Sequence, residues 1–216
     1  MINNKVRVVI IDSGIDRSKN NLKDNVIEAI SIKINSKGYI EKTEESVANN
    51  DHGTLVASCI KYIYDNVELI DINILDKNLT TDGRVLLKAL EESTKYNPDI
   101  IHLSLGTTKF KYWFPLKRIV RKLRKNNIIV ISAANNYGLK SYPAYLKGVI
   151  GVRGKEVEDL NWHIYEDGFY YAPYKLPKEL CYKKNQEKIR GTSIAAAYIT
   201  GYFCKYVKNG NKNIIF

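Results

Sequence analysis

One serine, Ser193, follows a polar turn and opens a long run of small and apolar residues. The segment 190–195 reads Arg-Gly-Thr-Ser-Ile-Ala, and either Thr192 or Ser193 is a suitable N-cap for a buried helix beginning there. Unpaired backbone N–H groups and the positive end of the helix dipole surround a residue at such a position. Ser193 is therefore a candidate nucleophile, because a negative charge developing beside it would be stabilised. The alternative is that Ser193 only caps the helix, as most serines in a Gly-Thr-Ser sequence do.

A nucleophilic serine needs a base that takes its proton and a hydrogen-bond donor for the oxyanion. The chain contains three histidines, so few residues can be that base. His102 lies inside an apolar segment and is expected to belong to the core, and His163 lies in a tyrosine-rich loop. His52 precedes a glycine at the start of a predicted helix. We therefore expect His52 to be the base.

Composition predicts a folded domain spanning residues 1–216, with 44% hydrophobic and 26% charged residues. No apolar run approaches the ~20 residues that a membrane span needs, and residues 1–5 lead directly into a strand-like segment. We therefore expect no membrane association and no signal peptide. The cysteines, Cys59, Cys181 and Cys204, lack metal-ligand spacing and are typical of reduced thiols in a cytoplasmic protein.

The net charge of +11 is compatible with a nucleic acid, an anionic membrane surface or an acidic peptide as partner, and equally with solubility alone. No nucleic-acid-binding motif accompanies the charge, so a nucleic-acid partner is not expected. Basic residues concentrate at 117–125, on a predicted helix, and at 183–190, shortly before Ser193. The second cluster favours a peptide or protein substrate of acidic character. The oligomeric state does not follow from the sequence.

Apolar runs that predict strands alternate with segments whose apolar residues recur at helical spacing. Strands are predicted at 6–11, 26–34, 68–75, 99–106, 127–134 and 149–152, and helices at 52–63, 84–96, 115–125 and from 192 onwards. Residues 41–50 and 161–186 are predicted to be loops. This alternation predicts an α/β fold, a three-layer sandwich with a mainly parallel central sheet.

The candidate functional residues all fall at element ends. Asp12, Ser104 and Asn136 each follow or end a predicted strand, while His52 and Ser193 each begin a predicted helix. The carboxyl ends of parallel strands meet at one edge of the sheet, where ligands bind. We therefore expect all of these side chains to lie along the same edge.

The chain order Asp, His, Ser and the sequences around these residues resemble the subtilisin-like serine proteases, the subtilases. The resemblance lies in the blocks Val-Ile-Ile-Asp-Ser-Gly at 9–14, Asp-His-Gly-Thr at 51–54, Leu-Ser-Leu-Gly at 103–106, Ser-Ala-Ala-Asn-Asn-Tyr-Gly at 132–138, Tyr-Pro-Ala at 142–144 and Gly-Thr-Ser-Ile-Ala at 191–195. These blocks occur in the family's order over nearly the whole chain. The resemblance implies a subtilisin-like fold and serine endopeptidase activity.

The resemblance also implies a role for each residue in the blocks. Ser193 would be the nucleophile, His52 the general base, and Asp12 the acid that orients His52. The side-chain amide of Asn136 and the backbone N–H of Ser193 would bind the oxyanion. Asn135 remains the alternative to Asn136, because the family usually has glycine before the asparagine.

By the same resemblance, Ser104, Leu105 and Gly106 would pair with the substrate backbone as an added β-strand. The alternative for Ser104 is an ordinary strand end. The loop around Asp82 and Gly83 would flank the substrate on its other side, and the Tyr-Pro bond at 142–143 is often cis in the family.

The sequence departs from the secreted members in several places. No calcium-binding insertion follows His52, so we expect no metal and no other cofactor. We also expect no folding propeptide, because only eleven residues precede Asp12. The family includes proteases that cut leader segments from ribosomally made peptides, and this compact chain suits such peptide processing. The alternative is a catalytically silent subtilase fold that serves as a binding or scaffold protein.

Overall fold

A sheet of nine strands runs through the molecule. The computed structural model describes residues 5–209, and residues 1–4, on which the signal-peptide expectation largely rests, lie outside that range. The strands are β1 (Val6–Asp12), β2 (Val26–Ile34), β3 (Ile40–Thr43), β4 (Val67–Asn73), β5 (Ile100–Leu103), β6 (Ile129–Ala133), β7 (Ile150–Lys155), β8 (Ile164–Glu166) and β9 (Phe169–Pro173). Their order across the sheet is β3-β2-β4-β1-β5-β6-β7-β9-β8. The strands from β2 to β9 in this order pair in parallel, and β3 and β8 add antiparallel edges.

Helices cover both faces of the sheet. They are α1 (Asp51–Ile63), α2 (Gly83–Ser93), α3 (Trp113–Lys125) and α4 (Thr192–Lys208). Side chains alternate along β1, so that Val8 and Ile10 pack with α1 and α4, whereas Val9 and Ile11 pack with α2 and α3. Each fully buried aliphatic side chain contributes roughly 1.5–3 kcal/mol. The predicted α/β sandwich with a mainly parallel sheet is confirmed.

Helix α4 lies in the centre of its layer because its residues are small. It contacts α1, β6, β7 and β9, and Ala195 to Ala197 are wholly buried. A Cβ atom added to Gly201 would lie 2.5 Å from the Cβ of Ile63 in α1, so glycine permits this close helix crossing. Within residues 5–209, none of the helices combines the length and apolar character that crossing a membrane requires.

Two predicted loops contain strands. Residues 40–43 form β3, whose side chains are all exposed, so no alternation of apolar residues marks it. Residues 161–186 contain the β8–β9 hairpin, which turns at Asp167 and Gly168 with φ angles of 49° and 80°. Asp-Gly is the favoured pair for such a two-residue turn, and it is the sequence signal that would have identified this hairpin.

Candidate active site

Asp12 and His52 form a buried hydrogen-bonded pair at the carboxyl edge of the sheet. Asp12 is the last residue of β1 and is wholly buried, and its Oδ1 accepts the backbone N–H of Ser13 at 2.7 Å. The same oxygen lies 2.8 Å from Nδ1 of His52. Because an ionised carboxylate can only accept, Nδ1 carries the proton, and Nε2 has no hydrogen-bond partner within residues 5–209.

The two groups shift each other's pKa. Burial alone would raise the pKa of Asp12, but the charge of His52, the hydrogen bonds from His52 and Ser13, and the nearby hydroxyl of Ser104 lower this pKa below its usual value. Burial opposes protonation of His52, yet the charge of Asp12 and their hydrogen bond raise the pKa of His52 above 6.5. Asp12 therefore stays ionised over the pH range in which His52 takes up and releases its proton.

The start of α1 holds His52 in place. Asn50 caps the helix, and its side chain accepts the backbone N–H of His52 at 3.0 Å. The N–H of Gly53 donates to the hydroxyl of Ser13 at 3.1 Å. A Cβ atom at Gly53 would lie 2.5 Å from the carbonyl oxygen of Gly14, so only glycine allows this helix start to approach the turn after β1.

Ser193 is the second residue of α4, and the helix is capped by Gly191 instead of by Thr192 or Ser193. The side chain of Thr192 cannot cap because it donates to the carbonyl of Ala134 at 2.7 Å. The hydroxyl of Ser193 donates to the carbonyl of Ser104 at 3.1 Å, and among residues 5–209 no hydrogen bond joins it to His52. Without substrate, the nucleophile–base hydrogen bond is often long and tightens only in the complex.

Asn136 and Asn135 have different surroundings. Oδ1 of Asn136 accepts from the backbone N–H of Thr192 at 2.9 Å, and the hydroxyl oxygen of Thr192, whose proton is donated to Ala134, lies 3.0 Å from Oδ1. Since a backbone N–H can only donate, this contact fixes which end of the amide is oxygen and leaves the NH2 group free to donate. Asn135 instead accepts the N–H of Tyr137 at 2.8 Å and closes the local turn. The geometry favours Asn136 over Asn135 as an oxyanion donor.

The remaining predicted residues line a cleft of about 220 Å³ beside Ser193. Ser104, Leu105 and Gly106 follow β5 and form one wall of the cleft, with Asn136 and Ser193 also lining it. A Cβ atom at Gly106 would lie 2.8 Å from the carbonyl oxygen of Tyr142, so the wall packs closely on that segment. The peptide bond between Tyr142 and Pro143 is cis.

The family model of the subtilases matches residues 3–214. The chain belongs to the subtilase family. The major intracellular serine protease of Bacillus subtilis (strain 168) is 25% identical over 218 residues, which cover 91% of this chain and 66% of that protein. Subtilisin E from the same organism is 26% identical over 162 residues, which cover 68% of this chain and 40% of that protein. The chain thus spans about two thirds of the length of the intracellular protease and about two fifths of the length of subtilisin E.

Two solved structures have the same subtilase architecture. A cold adapted subtilisin-like serine proteinase superimposes with a TM-score of 0.72 at 19% identity, covering 95% of this chain and 76% of that one. A lanthipeptide protease superimposes with a TM-score of 0.67 at 20% identity, covering 92% and 72%. At sequence identities of 19% and 20%, the structural similarity to these two proteins establishes the fold alone.

Several residues that line this cleft were not among the predicted site residues, and one of them, Leu79, comes from the loop before Asp82 and Gly83 that was expected to flank the substrate. Leu79, from the segment between β4 and α2, lines the cleft with a φ angle of 59°. The expected flanking residue Asp82 instead caps α2, accepting the backbone N–H of Arg84 at 2.8 Å. Gly83 packs against the ring of Tyr112, so this pair stabilises the helix start. No sequence pattern marks a leucine for a left-handed backbone conformation.

The other two histidines differ from His52 in their environment. His102 is wholly buried in β5, as expected for a core residue. His163 is exposed and stacks on Tyr202 of α4, with ring centroids 4.4 Å apart. Of the three, His52 alone has a hydrogen-bonded carboxylate partner among residues 5–209.

Proposed function

We propose that the chain is a serine endopeptidase that hydrolyses peptide bonds with Asp12, His52 and Ser193 as its triad. The observation that carries the proposal is the 2.8 Å hydrogen bond between Asp12 and Nδ1 of His52, which leaves Nε2 of His52 free to accept a proton. Family membership and the shared cleft of Ser193 and Asn136 support the same assignment.

In the first half of the reaction, Nε2 of His52 takes the proton of Ser193 as its Oγ attacks the carbonyl carbon of the substrate. The carbonyl oxygen becomes an oxyanion, which accepts hydrogen bonds from the side-chain amide of Asn136 and the backbone N–H of Ser193. His52 then gives its proton to the leaving amine, and the carbon–nitrogen bond breaks. Asp12 stays ionised and stabilises the imidazolium.

In the second half, water enters where the amine departed. His52 removes a proton from this water, whose oxygen attacks the acyl carbon bound to Ser193. The same two donors bind the second oxyanion, and His52 returns the proton to Oγ of Ser193 as the ester bond breaks. The acid product leaves and the enzyme is regenerated with no change in its own atoms.

The proposed substrate is a peptide or protein segment that binds in extended form along residues 104–106. Backbone pairing supplies affinity without dependence on side chains, and the small cleft beside Ser193 accepts one of them. Arg190 lines a neighbouring cavity of about 430 Å³ together with Asn136 and Thr192. Its charge supports the proposal that acidic segments are preferred.

The finer proposal is removal of leader segments from peptides in the cytoplasm. Two similar proteins support it, an intracellular serine protease among the relatives and a lanthipeptide protease among the similar structures. Cleavage mapping tests whether this chain acts in the same way. Peptide libraries digested by the wild type, with a Ser193→Ala protein as control, would identify the sequences cut and their position relative to a leader.

Reaction with a fluorophosphonate probe separates the endopeptidase from a silent scaffold. Such probes phosphonylate only an activated serine, and the adduct is located by mass spectrometry on the peptide that contains Ser193. We expect labelling of the wild type and none of the folded Ser193→Ala protein. A folded wild type that is not labelled, and that cleaves no peptide of the library, would contradict the proposal and favour the scaffold.

A further inference from the structure

A second histidine, His102, lies buried behind the proposed triad with both ring nitrogens bonded. Nε2 is 2.8 Å from the hydroxyl of Ser104, and Nδ1 is 2.8 Å from the hydroxyl of Thr200 in α4. Burial lowers the pKa of His102 to about 4, with the charge of His52 adding to the shift and that of Asp12 opposing it. At neutral pH the ring is uncharged, so one nitrogen donates and the other accepts.

Ser104 touches both ends of the proposed triad. Its carbonyl accepts the hydroxyl of Ser193 at 3.1 Å, and its own hydroxyl lies close enough to Asp12 to lower the pKa of that carboxyl. Oδ1 of Asp12 is already occupied by Ser13 and His52, whereas buried Oδ2 has no hydrogen-bond partner within residues 5–209. A buried carboxylate oxygen without a donor is costly, and Ser104, whose hydroxyl acts on this carboxyl, can supply a donor.

The three side chains of His102, Ser104 and Thr200 can arrange their protons in two ways. In the first, Nδ1–H donates to Thr200 and the hydroxyl of Ser104 donates to Nε2, which leaves Oδ2 of Asp12 without a donor. In the second, the hydroxyl of Thr200 donates to Nδ1, and Nε2–H donates to the oxygen of Ser104. The single proton of Ser104 then points to Asp12.

The second arrangement loses one hydrogen bond between neutral groups and provides a donor for a buried charged group. The hydroxyl of Thr200 gives up its 2.8 Å contact with the carbonyl of Ala196, which lies inside α4 and retains its helical N–H partner. In exchange, the buried carboxylate of Asp12 gains a donor, and hydrogen bonds to charged groups are roughly twice as strong as neutral ones. The balance favours the Nε2–H form of His102.

We propose that His102 is a positioning residue, which in its Nε2–H form directs the hydroxyl of Ser104 onto Oδ2 of Asp12. With both carboxylate oxygens bonded, Asp12 is held against His52. The chain from Thr200 through His102 and Ser104 to Asp12 also links α4, which carries Ser193, to β1. This role rests on the proposed endopeptidase function, but the proton arrangement itself does not.

Nuclear magnetic resonance of the histidine rings tests the proton arrangement directly. The chain has only three histidines, so 15N-histidine labelling gives three ring spin systems, and His102 is assigned from the signals lost in a His102→Gln protein. We expect a protonated Nε2 and an unprotonated Nδ1 for His102 from pH 6 to 8. A protonated Nδ1 would overturn the proposal, whether or not the protein proves to be a protease.

A double-mutant cycle tests the positioning role. His102→Leu and Ser104→Ala should each lower kcat by roughly 10-fold with little change in KM, within the range for residues that act through one another. If His102 acts through Ser104, the double variant should be no worse than the poorer single variant. Losses that multiply would show that His102 only supports the core, and would overturn the proposal.

His102→Gln is the matched control, because its side-chain amide retains an N–H donor that can reach Ser104. We expect this variant to recover most of the kcat lost in His102→Leu, whereas a packing role predicts no such difference between the two. Circular dichroism and thermal melting establish that each variant is folded. If His102→Leu does not fold, the proposal is still tested by the kcat of His102→Gln and of Ser104→Ala and by the protonation of the His102 ring. A wild type that is inactive and not labelled by the probe, but whose His102 carries its proton on Nε2, would contradict the protease function. It would still support the proposed hydrogen-bond chain.

Discussion

The side-chain oxygen of Asn136 is hydrogen-bonded to the backbone N–H of Thr192 at 2.9 Å, one residue before Ser193. This contact joins the turn after β6 to the first turn of α4. It leaves the NH2 group of Asn136 unused by the loop and adjacent to the N–H groups at the helix start. In the proposed mechanism, the two donors for the developing negative charge would thereby be fixed by the fold before substrate binds, which is the condition under which such donors are most effective.

Asn136→Ala should therefore lower kcat by roughly 10²–10³-fold while KM changes little, because the amide acts mainly on the transition state. Steady-state kinetics on one peptide substrate checks this. The matched variant is Asn135→Ala, whose side chain closes a turn and should cost much less activity. The reverse order of the two losses would mean that the neighbouring asparagine is the oxyanion donor.

Ser193→Ala and His52→Ala should each reduce peptide hydrolysis to a small residual rate and leave the fold intact. The two groups act as a unit, so the double variant should be about as active as either single one. Rates measured on proteins with unchanged thermal melting curves check this expectation. Near wild-type turnover by purified Ser193→Ala protein would refute the assignment of the nucleophile.

The pH profile should reflect the raised pKa of His52. A base must be unprotonated to take the proton of Ser193, so kcat/KM should fall as pH decreases through a value above 6.5. The charge of Asp12 is the main cause of the upward shift. Asp12→Asn should move this limb to lower pH and reduce the rate strongly, because an amide no longer selects the Nδ1–H form of the ring. A wild-type limb at or below pH 6.5 would contradict the pairing.

Much of this architecture was predictable because the apolar segments of the sequence begin and end close to where the strands and helices begin and end. The unbroken apolar run before Asp12 marks a strand covered on both faces, and that strand places the carboxylate at its end. His52 and Ser193 follow from helix starts in the same way. These positions depend on local sequence, which is why they could be assigned before the fold was known.

Other parts of the site depend on contacts between distant segments. Gly191 caps α4 because the side chain of Thr192 is drawn to Ala134, 58 residues earlier in the chain. One partner of His102, Thr200, lies 98 residues later in α4, so the apolar neighbours of His102 in the sequence indicated only a core residue. The all-exposed strand β3 forms only because β2 offers an edge to pair with. No sequence window contains this information.

Titration of the buried carboxyl of Asp71 should make the free energy of unfolding depend on pH, and the charge of Asp12 adds to the shift in the pKa of Asp71. Burial raises the pKa of this carboxyl to about 6, although Ser46 and the N–H of Ile15 bond to it at 2.7 Å and 3.0 Å. The folded state thus holds the proton more tightly than the unfolded state, in which the pKa is near 3.8. The contribution of Asp71 to stability therefore falls as pH rises from about 4 to about 6, by on the order of 3 kcal/mol.

Asp71→Asn should flatten this part of the pH dependence. The amide oxygen can still accept from Ile15, and no charge has to be buried at higher pH. Chemical denaturation at pH 4 and pH 8 measures the difference in the free energy of unfolding between variant and wild type. We expect the variant to gain stability relative to the wild type on going from pH 4 to pH 8, and a pH-independent difference would show that Asp71 does not titrate in this range.

The last prediction concerns the charge of the substrate and is tested at Arg190, the basic residue that lines the cavity next to Asn136. Lys183, in the same basic cluster, is paired with Asp51 at 2.6 Å, so its charge is largely compensated. Arg190 is exposed and lines the cavity that includes Asn136, so its charge can act on a bound peptide within a Debye length of roughly 8–10 Å.

Acidic peptides should therefore be cleaved with higher kcat/KM than matched basic ones, and the ratio of the two kcat/KM values should become smaller in high salt. Arg190→Gln should reduce the ratio at low salt, whereas Lys117→Gln, which removes the same charge from α3 on the opposite face of the sheet, should leave it unchanged. A ratio that is independent of salt, or that favours basic peptides, would mean that these charges do not select the substrate.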